Sequence, residues 1–336
     1  MALRMPTTPN SLLCASLLLS LCACSKPGAG TDGSRAHDLT RRIVEIGPRT
    51  PGSPGIRKVA DLIASELKAI SPSLELQRQR FRREDVQKDV DFENLWVEIP
   101  GTEHKPDGPI LAVAAHYDSK ITHHGEQDFR FVGALDAAAS CAVLVELARH
   151  LTQDVRLPCD VWLVFFDGEE SYDWNWNDSK ALVGSRHFAA TMNADKQRFP
   201  SGLASRMKAL ILLDLLGDLE FKVDREKESN PRLIEIFRSA AEQLGVQDRV
   251  FREETQVTGD DHIPFKGLGV RVIDLIDFKW RVPGEHNAGA PPYAKTFFPF
   301  WHTKDDDMPR VSADSLRTVG DLLLLSLPVI AKEFAK

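Results

Sequence analysis

Short apolar runs that alternate with amphipathic segments limit what this chain can fold into. The run Val161–Phe166 is too short for a helix and suits a strand that is covered on both faces. Further strands are predicted at Leu95–Ile99, Ile110–Ala115, Leu210–Leu213 and Val270–Ile273, and helices at 55–70, 137–151, 231–244 and 313–334. This alternation predicts the α/β class, a single domain with a mostly parallel central β-sheet flanked by helices on both faces.

The composition is that of a large folded domain with an acidic balance. The 336 residues are 43% hydrophobic, and 49 Asp and Glu against 42 Lys and Arg give a net charge of −7. An acidic chain without a basic stripe argues against nucleic acid as its partner. Five cysteines are too few for a disulfide scaffold of this size. We therefore expect a monomer that binds no nucleic acid.

The first residues predict an export signal. A single Arg4 precedes the apolar run Ser11–Leu21, which is too short for a permanent membrane anchor. The sequence Leu21-Cys22-Ala23-Cys24 resembles a bacterial lipobox and predicts that a lipid on Cys24 is the only attachment to a membrane. The alternative is an ordinary signal that is cleaved near Ala23. Both predict export, to the periplasm or outer membrane of a bacterium as a lipoprotein, or otherwise by secretion.

These features set the predicted domain boundaries. We assign residues 1–24 to the signal peptide and residues 25–34, which are small and polar, to a flexible tether. The remaining range, 35–336, contains no internal repeat and no second low-complexity linker. We expect it to form one catalytic domain.

Acidic residues and histidines follow the predicted strands. Ligands in open α/β sheets bind outside the carboxyl ends of the strands, so side chains that are distant in sequence should meet at one edge. The candidates are His116, Asp118, Asp136, Asp167, Glu169, Glu170, Asp214, Asp260, Asp261, His262 and His302. Each residue alone also fits a solvated turn or a satisfied polar contact. The functional interpretation depends on their combination.

A His, Asp and Glu set without Cys is typical of zinc or a similar divalent cation. Asp136, Glu170 and His302 would form a neutral site with a fourth position open to substrate. Glu169 and Glu170 are adjacent, so their side chains point in different directions in an extended segment. Glu170 can therefore bind the metal while Glu169 faces the substrate as an acid or base.

At these residues the sequence resembles the animal-type glutaminyl cyclases, or glutaminyl-peptide cyclotransferases, within the wider group of M28-type zinc aminopeptidases. The resemblance covers roughly 49–327 and keeps the family's order of motifs. The motifs are His116-Tyr117-Asp118-Ser119-Lys120, Phe131-Val132-Gly133-Ala134-Leu135-Asp136, Phe165-Phe166-Asp167-Gly168-Glu169-Glu170, Gly184-Ser185-Arg186-His187, Leu212-Leu213-Asp214-Leu215, Asp260-Asp261-His262-Ile263-Pro264-Phe265 and Trp301-His302-Thr303 followed by Asp305-Asp306.

The resemblance implies a zinc aminopeptidase-like fold and conversion of the N-terminal Gln of a peptide or protein to pyroglutamate, with release of ammonia. It implies one Zn²⁺ per chain, bound by Asp136, Glu170 and His302. Glu169 would be the acid/base, with Asp214 and Asp260 in an acidic network beside it. Trp301 and Trp176 would line the substrate pocket, and Trp174 competes with Trp176 for that role because the intervening segment is one residue longer here.

Two other interpretations remain open. A two-metal aminopeptidase would use His116 and Asp214 for a second ion that is bridged by Asp136, and Glu169 would activate a water. A non-catalytic binding protein could also retain this fold. The chain departs from the animal family where Ala115 replaces a Cys that would pair with Cys141, and where Asp274 stands in place of a His. The long segment 277–300 is predicted to form a lid or rim near the pocket.

Overall fold

The computed structural model describes residues 1, 30–122, 129–255, 259–278 and 300–335. The predicted signal peptide, the lipid site at Cys24 and most of the predicted lid segment lie outside these residues. Across the described ranges, none of the helices combines the length and the apolar character needed to cross a membrane.

Eight strands and seven α-helices make up the described fold. The strands are β1 Gln77–Arg82, β2 Asp91–Ile99, β3 Ile110–His116, β4 Asp160–Phe166, β5 Met207–Asp214, β6 Val223–Glu226, β7 Val250–Thr255 and β8 Arg271–Ile276. The helices are α1 Gly33–Ile46, α2 Pro54–Ile70, α3 Ala139–Gln153, α4 Val183–Ala194, α5 Pro231–Leu244, α6 Ile263–Gly267 and α7 Ala313–Phe334. A π-helical turn, Ala134–Ala138, precedes α3, and short 3₁₀ turns lie at Leu203–Ser205 and Met308–Arg310.

The central sheet has the order β1-β2-β4-β3-β5-β8. The four strands β4, β3, β5 and β8 run parallel, and β2 and β1 add antiparallel pairs at one edge. Strands β6 and β7 form a separate parallel pair. The prediction of a mostly parallel central sheet is therefore confirmed. His116 pairs with Phe166 at the ends of β3 and β4, which places their following loops side by side.

Both faces of the sheet are buried, because alternate residues of each central strand point to opposite sides. On β3, Leu111 and Val113 belong to the larger core, which also contains apolar residues of α1, α2, α3, α5 and α7. Ile110 and Ala112 belong to a second core with residues of α4 and α6. Continuous apolar strands were the sequence signature of this arrangement.

Local signals account for the helix boundaries. The Ser53 hydroxyl accepts the Ile56 N–H, and Pro54 begins α2, where its missing N–H costs no hydrogen bond. Helices α5 and α7 match the predicted bounds. The helix predicted at 137–151 begins later, at Ala139, because the π-helical turn that carries Asp136 precedes it.

The fold begins before the predicted boundary at residue 35. Thr31 is 4% exposed, and its backbone N–H donates to Asp321 Oδ1 at 2.7 Å. Asp32 caps α1 by accepting the backbone N–H groups of Ser34 and Arg35. The assignment of residues 31–34 to a flexible tether is therefore wrong. Small polar residues occur in helix caps and close contacts as well as in linkers, so the composition of this segment did not distinguish between them.

Candidate active site

The carboxyl ends of the parallel strands bring the candidate residues to one edge of the sheet. His116 ends β3, Asp214 ends β5, and the loop after β4 carries Glu169 and Glu170. The π-helical turn before α3 supplies Asp136. This convergence follows from the parallel topology, which places successive strand ends at the same edge.

Asp136, Glu170 and His302 form one compact group of metal-donor atoms. One ligand atom from each lies within 4.8 Å of the others. His302 Nε2 is 3.1 Å from Glu170 Oε1 and 3.6 Å from Asp136 Oδ2. Asp136 is 3% exposed, and within the described part of the chain its Oδ2 has no hydrogen-bond partner. A buried carboxylate oxygen without a donor is well suited to a cation.

The pKa values of the two carboxylates in this group are shifted in opposite directions. Burial and the nearby Glu170 charge raise the pKa of Asp136 to about 7. Burial also acts to raise the pKa of Glu170, but His302 and Lys120 outweigh it and hold that pKa at about 2. Lys120 Nζ lies 3.7 Å from Glu170 Oε2 and is itself buried. Glu170 is therefore anionic before any cation arrives.

A second donor group shares Asp136. It consists of His116, Asp136 and Asp214. His116 Nε2 is 3.1 Å from Asp136 Oδ1 and 3.3 Å from Asp214 Oδ1, while Asp118 lies 3.3 Å from Nδ1. Burial acts to lower the pKa of His116, but these carboxylates raise it overall. The same arrangement fits either a protonated imidazole or a second cation.

Glu169 lies beside the first group and is 8% exposed. Asp118 accepts the backbone N–H groups of Glu169 at 3.2 Å and Glu170 at 3.3 Å, which fixes the backbone of the doublet. Burial raises the pKa of Glu169 well above its usual range, and the charges of Glu170 and Asp260 raise it further. The doublet thus combines an anionic carboxylate with one that binds a proton readily.

Asp260 belongs to a third, fully buried group with His262 and Asp274. Its Oδ1 accepts the Asp261 N–H at 2.6 Å. Burial raises the pKa of Asp260 to about 6, with a contribution from the nearby Asp214 charge. Within this group His262 Nδ1 lies 3.8 Å from Asp274 Oδ2. Because the Asp214 charge contributes to the raised pKa of Asp260, these two carboxylates are close enough to interact.

Three tryptophans lie at this edge. Trp301 stacks on the His302 ring, and Trp174 lies with its ring centroid 6.2 Å from that of His302. Trp176 is 40% exposed and donates to Asp178 Oδ1 at 2.7 Å. A Cβ atom on Gly259 would meet the Trp176 ring at 3.0 Å, so this indole covers the residue before Asp260.

Three buried residues around this edge have no role that was predicted from the sequence. Arg49, Lys120 and Asp306 are each at most 1% exposed and make several hydrogen bonds. Lys120 Nζ donates to the carbonyl oxygens of Ser171 at 2.7 Å and Asp173 at 3.0 Å. No spacing or periodicity marks such residues. The available signal was that Lys120 and Asp306 lie within motifs that resemble those of the cyclase family.

Two thiols take no part in this chemistry, although Cys141 Sγ donates to the His116 carbonyl oxygen at 3.1 Å. Cys141 and Cys159 are both buried free thiols. Burial raises the pKa of Cys141 to about 12 and that of Cys159 to about 11. They are therefore protonated packing groups rather than nucleophiles.

Comparison with known proteins places this arrangement in a family. The sequence model of peptidase family M28 matches residues 94–327. The chain belongs to peptidase family M28. All members of the three donor groups lie inside that range.

Individual relatives are similar over most of the chain. A glutaminyl-peptide cyclotransferase-like protein of Bos taurus is 29% identical over 83% of this chain and 71% of its own length. The glutaminyl-peptide cyclotransferase of Bos taurus is 28% identical over 92% of this chain and 86% of its own. The crystal structure of an Acidobacteriales bacterium glutaminyl cyclase superposes with a TM-score of 0.76 at 28% identity, covering 98% of this chain and 99% of that one.

Proposed function

We propose that this protein is a metal-dependent glutaminyl-peptide cyclotransferase, which converts the N-terminal Gln of peptides or proteins to pyroglutamate and ammonia. The observation that carries the proposal is the grouping of Asp136, Glu170 and His302 beside the protonatable carboxyl of Glu169. The similarity to proteins named glutaminyl-peptide cyclotransferase and glutaminyl cyclase supports it.

The residues fit one zinc ion. Two carboxylates balance its charge, the imidazole nitrogen is a third ligand, and the unpartnered Asp136 Oδ2 gains a partner. A zinc ion held by Asp136, Glu170 and His302 would act as a Lewis acid on the γ-carbonyl oxygen of the substrate Gln. A site of three protein ligands leaves a position for that oxygen.

Glu169 moves the protons in the proposed mechanism. The substrate's α-amine attacks its own γ-carbonyl carbon, a C–N bond forms, and the bond to the side-chain nitrogen breaks. A carboxylate oxygen of Glu169 takes a proton from the amine and delivers one to the leaving ammonia. Burial raises the pKa of Glu169, which makes its carboxylate a stronger base for the first transfer. Asp260 is a charged neighbour of Glu169, and Asp214 is a charged neighbour of Asp260, so we propose that they form an acidic network beside the acid/base.

The pocket orients the substrate. Trp301 presents an aromatic wall beside His302, and we propose Trp176 as the opposite wall. Holding the amine against the γ-carbonyl replaces a chance encounter with a fixed approach, which contributes to rate through orientation. Because the nucleophile belongs to the substrate, the mechanism requires a dry, shaped cleft rather than an activated water.

Two assays on purified protein of measured zinc content test this function. A coupled ammonia assay on a Gln-initiated peptide should show turnover, and an assay for release of N-terminal residues should not. Glu169→Gln should retain zinc and lose at least about 100-fold in kcat. Glu146→Gln, which removes a buried carboxylate paired with Arg35, is the matched control and should retain turnover. Near-normal turnover in Glu169→Gln would reject the role of Glu169.

A di-zinc aminopeptidase is the second candidate, because the donor group of His116, Asp136 and Asp214 shares Asp136 with the first. A shared carboxylate is what a two-metal centre needs to bridge its ions. In that case the residue-release assay would be positive and the ammonia assay negative. The two functions therefore give opposite patterns in the same pair of measurements.

We also propose that the chain is exported as a monomer and anchored by a lipid on Cys24, as its N-terminal sequence indicates. Expression of the full chain in a bacterium, followed by fractionation and globomycin treatment, tests this. Wild type should partition with membranes and accumulate as a precursor when lipoprotein processing is inhibited. Cys24→Ser should release the protein from the membrane fraction if Cys24 is the anchor.

A further inference from the structure

A buried turn carries Asp136, and its backbone has partners on both sides. Residues Val132 to Ala138 connect a loop to α3 and are shielded from water. Buried N–H and C=O groups need hydrogen-bond partners, and this turn is too irregular to supply all of its own. The partners are Arg49 and Asp306, which lie 83 and 171 residues from their respective partners Val132 and Leu135 in the sequence.

Arg49 binds the carbonyl side of the turn. Its guanidinium donates to the oxygen of Val132, to that of Gly133 at 3.0 Å and to that of Asp136 at 3.4 Å. Its Nε donates to the oxygen of Tyr117, the residue between His116 and Asp118, at 3.1 Å. The side chain is fully buried, so these carbonyl dipoles replace the water around its charge.

Asp306 binds the amide side of the same turn. Its Oδ1 accepts the N–H of Leu135 at 2.7 Å, and its Oδ2 accepts that of Asp136 at 3.2 Å. Its own carbonyl accepts the N–H of Ala134 at 3.3 Å. Asp306 also belongs to the turn after His302, since its N–H donates to the oxygen of Thr303 at 3.3 Å. It therefore joins the segments of two metal-donor residues directly.

The glycine in this turn makes room for the contact. Gly133 has a φ of +50°, and a Cβ atom there would lie 2.0 Å from the Asp136 oxygen and 3.1 Å from Arg49 Nη2. A side chain at this position would separate the guanidinium from the turn. The close approach of Arg49 is therefore built into the backbone path.

We propose that Arg49 and Asp306 are positioning residues that preform the metal centre, by holding the carbonyl and amide sides of the Asp136 turn against the His302 segment. The inference rests on the proposed role of Asp136 and His302 as metal ligands. Neither positioning residue offers an atom to the metal. Outer contacts of this kind typically change metal affinity by about 10- to 100-fold when they are lost.

Zinc affinity of the metal-free protein tests the proposal without any substrate. We would measure it by competition with a chromophoric chelator in Arg49→Lys and Asp306→Asn. Lysine keeps the charge but cannot match the planar fork, and asparagine keeps the shape but turns a donor or a single oxygen toward two N–H groups. Both should weaken zinc binding by about 10- to 100-fold. The Ser119 hydroxyl accepts the backbone N–H of Arg49 at 2.9 Å. Ser119→Ala removes only this contact and should weaken zinc binding by about 3- to 10-fold.

The matched controls remove comparable contacts elsewhere. Arg206 is a buried arginine whose Nε donates to the Gly108 oxygen at 2.9 Å, and Asp218 is a buried aspartate that accepts the Glu220 N–H at 2.7 Å. Arg206→Lys and Asp218→Asn should lose unfolding stability but keep wild-type zinc affinity. Turnover of the Arg49 and Asp306 variants should recover as zinc is raised, which a purely structural defect would not do.

The outcomes separate this inference from the proposed function. Wild-type protein that binds no zinc would overturn the metal site itself. Wild-type affinity in Arg49→Lys, Asp306→Asn and Ser119→Ala would overturn the positioning role alone. If the first two variants do not fold, Ser119→Ala decides, because the loss of one hydroxyl is a small change within a buried site.

Discussion

Trp301 lies against the imidazole of His302, with their ring centroids 3.9 Å apart and the ring planes inclined by 29°. The adjacent residue in sequence thus covers one face of a proposed metal ligand. His302 has a φ of +53°, an uncommon conformation that lets neighbouring side chains stack in this way. The indole also meets Phe278 edge to face at 5.2 Å, so its position is fixed from both sides.

This relationship predicts that Trp301→Ala lowers kcat/KM for a Gln-initiated peptide by about 3- to 10-fold, the loss expected for one aromatic contact. Trp301→Phe should retain most activity because the ring stack persists. Steady-state kinetics with parallel zinc analysis would measure both. Trp96→Phe, in a buried tryptophan of the second core, is the control. Unchanged kinetics in Trp301→Ala would remove this side chain from the pocket.

His116 distinguishes one metal from two. It belongs only to the second donor group, whereas Asp136 belongs to both. A one-zinc cyclase predicts about one zinc per chain in wild type and the same content in His116→Ala. His302→Ala should lose most of its zinc, because that residue is in the first group. Metal analysis after gel filtration would measure all three proteins. A wild-type value near two that falls to one in His116→Ala would instead favour the aminopeptidase.

The central sheet was predictable from sequence because burial on both faces leaves a continuous apolar run in each strand. Strand β1 was not, since Gln77–Arg82 is polar and lies at the sheet edge. Its pairing with β2 and the contacts of Arg78 and Arg80 with Glu93 stabilise it. These are tertiary interactions that no local pattern encodes. Charged edge strands of this type also discourage pairing between molecules.

The two metal-donor groups that share Asp136 were predictable for a similar reason, because parallel strand ends meet at one edge. Arg49 and Asp306 were not, since their partners are backbone groups of a turn distant in sequence. The π-helical turn at Ala134–Ala138 has no hydrophobic period of its own, so the helix predicted at 137–151 included its last two residues. Side-chain contacts to irregular backbone are visible only once the fold is known.

Asp260 predicts a pH dependence in the stability of the metal-free protein. Its pKa is about 6 in the folded state against an ordinary value of 3.8. A raised carboxyl pKa contributes stability below the unfolded pKa, and that contribution is lost as pH rises through the folded pKa. The free energy of unfolding should therefore fall between pH about 4 and about 6, by up to about 3 kcal/mol from this residue.

Denaturant unfolding of metal-free wild type and Asp260→Asn across this pH range measures the contribution. The variant should show a smaller decrease, because asparagine does not titrate. Other buried carboxyls, such as Asp136, contribute to both proteins and largely cancel in the difference. Equal decreases in the two proteins would show that Asp260 has an ordinary pKa in the folded state.

Thr31 and Asp321 predict where the folded domain begins. Thr31 donates to Asp321 through its N–H at 2.7 Å and its hydroxyl at 3.0 Å, and the hydroxyl is 2.9 Å from the Arg317 oxygen. A Cβ atom on Gly320 would lie 2.4 Å from Thr31 Oγ1, so this segment packs closely against α7. Asp32 caps α1. Arg35, in the first turn of that helix, forms a salt bridge in which its Nη2 lies 2.7 Å from Glu146 Oε1.

Removal of residues 1–29 should therefore leave the free energy of unfolding unchanged, whereas removal of 1–34 should lower it by about 2–4 kcal/mol. The larger deletion loses the hydrogen bonds of Thr31 and the helix cap of Asp32, each contributing about 1 kcal/mol. Asp321→Ala in the shorter deletion should lose about 1–2 kcal/mol, because the Thr31 N–H and hydroxyl both lose their shared acceptor, Asp321 Oδ1. Denaturant unfolding compares the three proteins. Equal stability of the two deletions would return residues 31–34 to the tether, because it would mean that their contacts with α7 contribute nothing to the folded state.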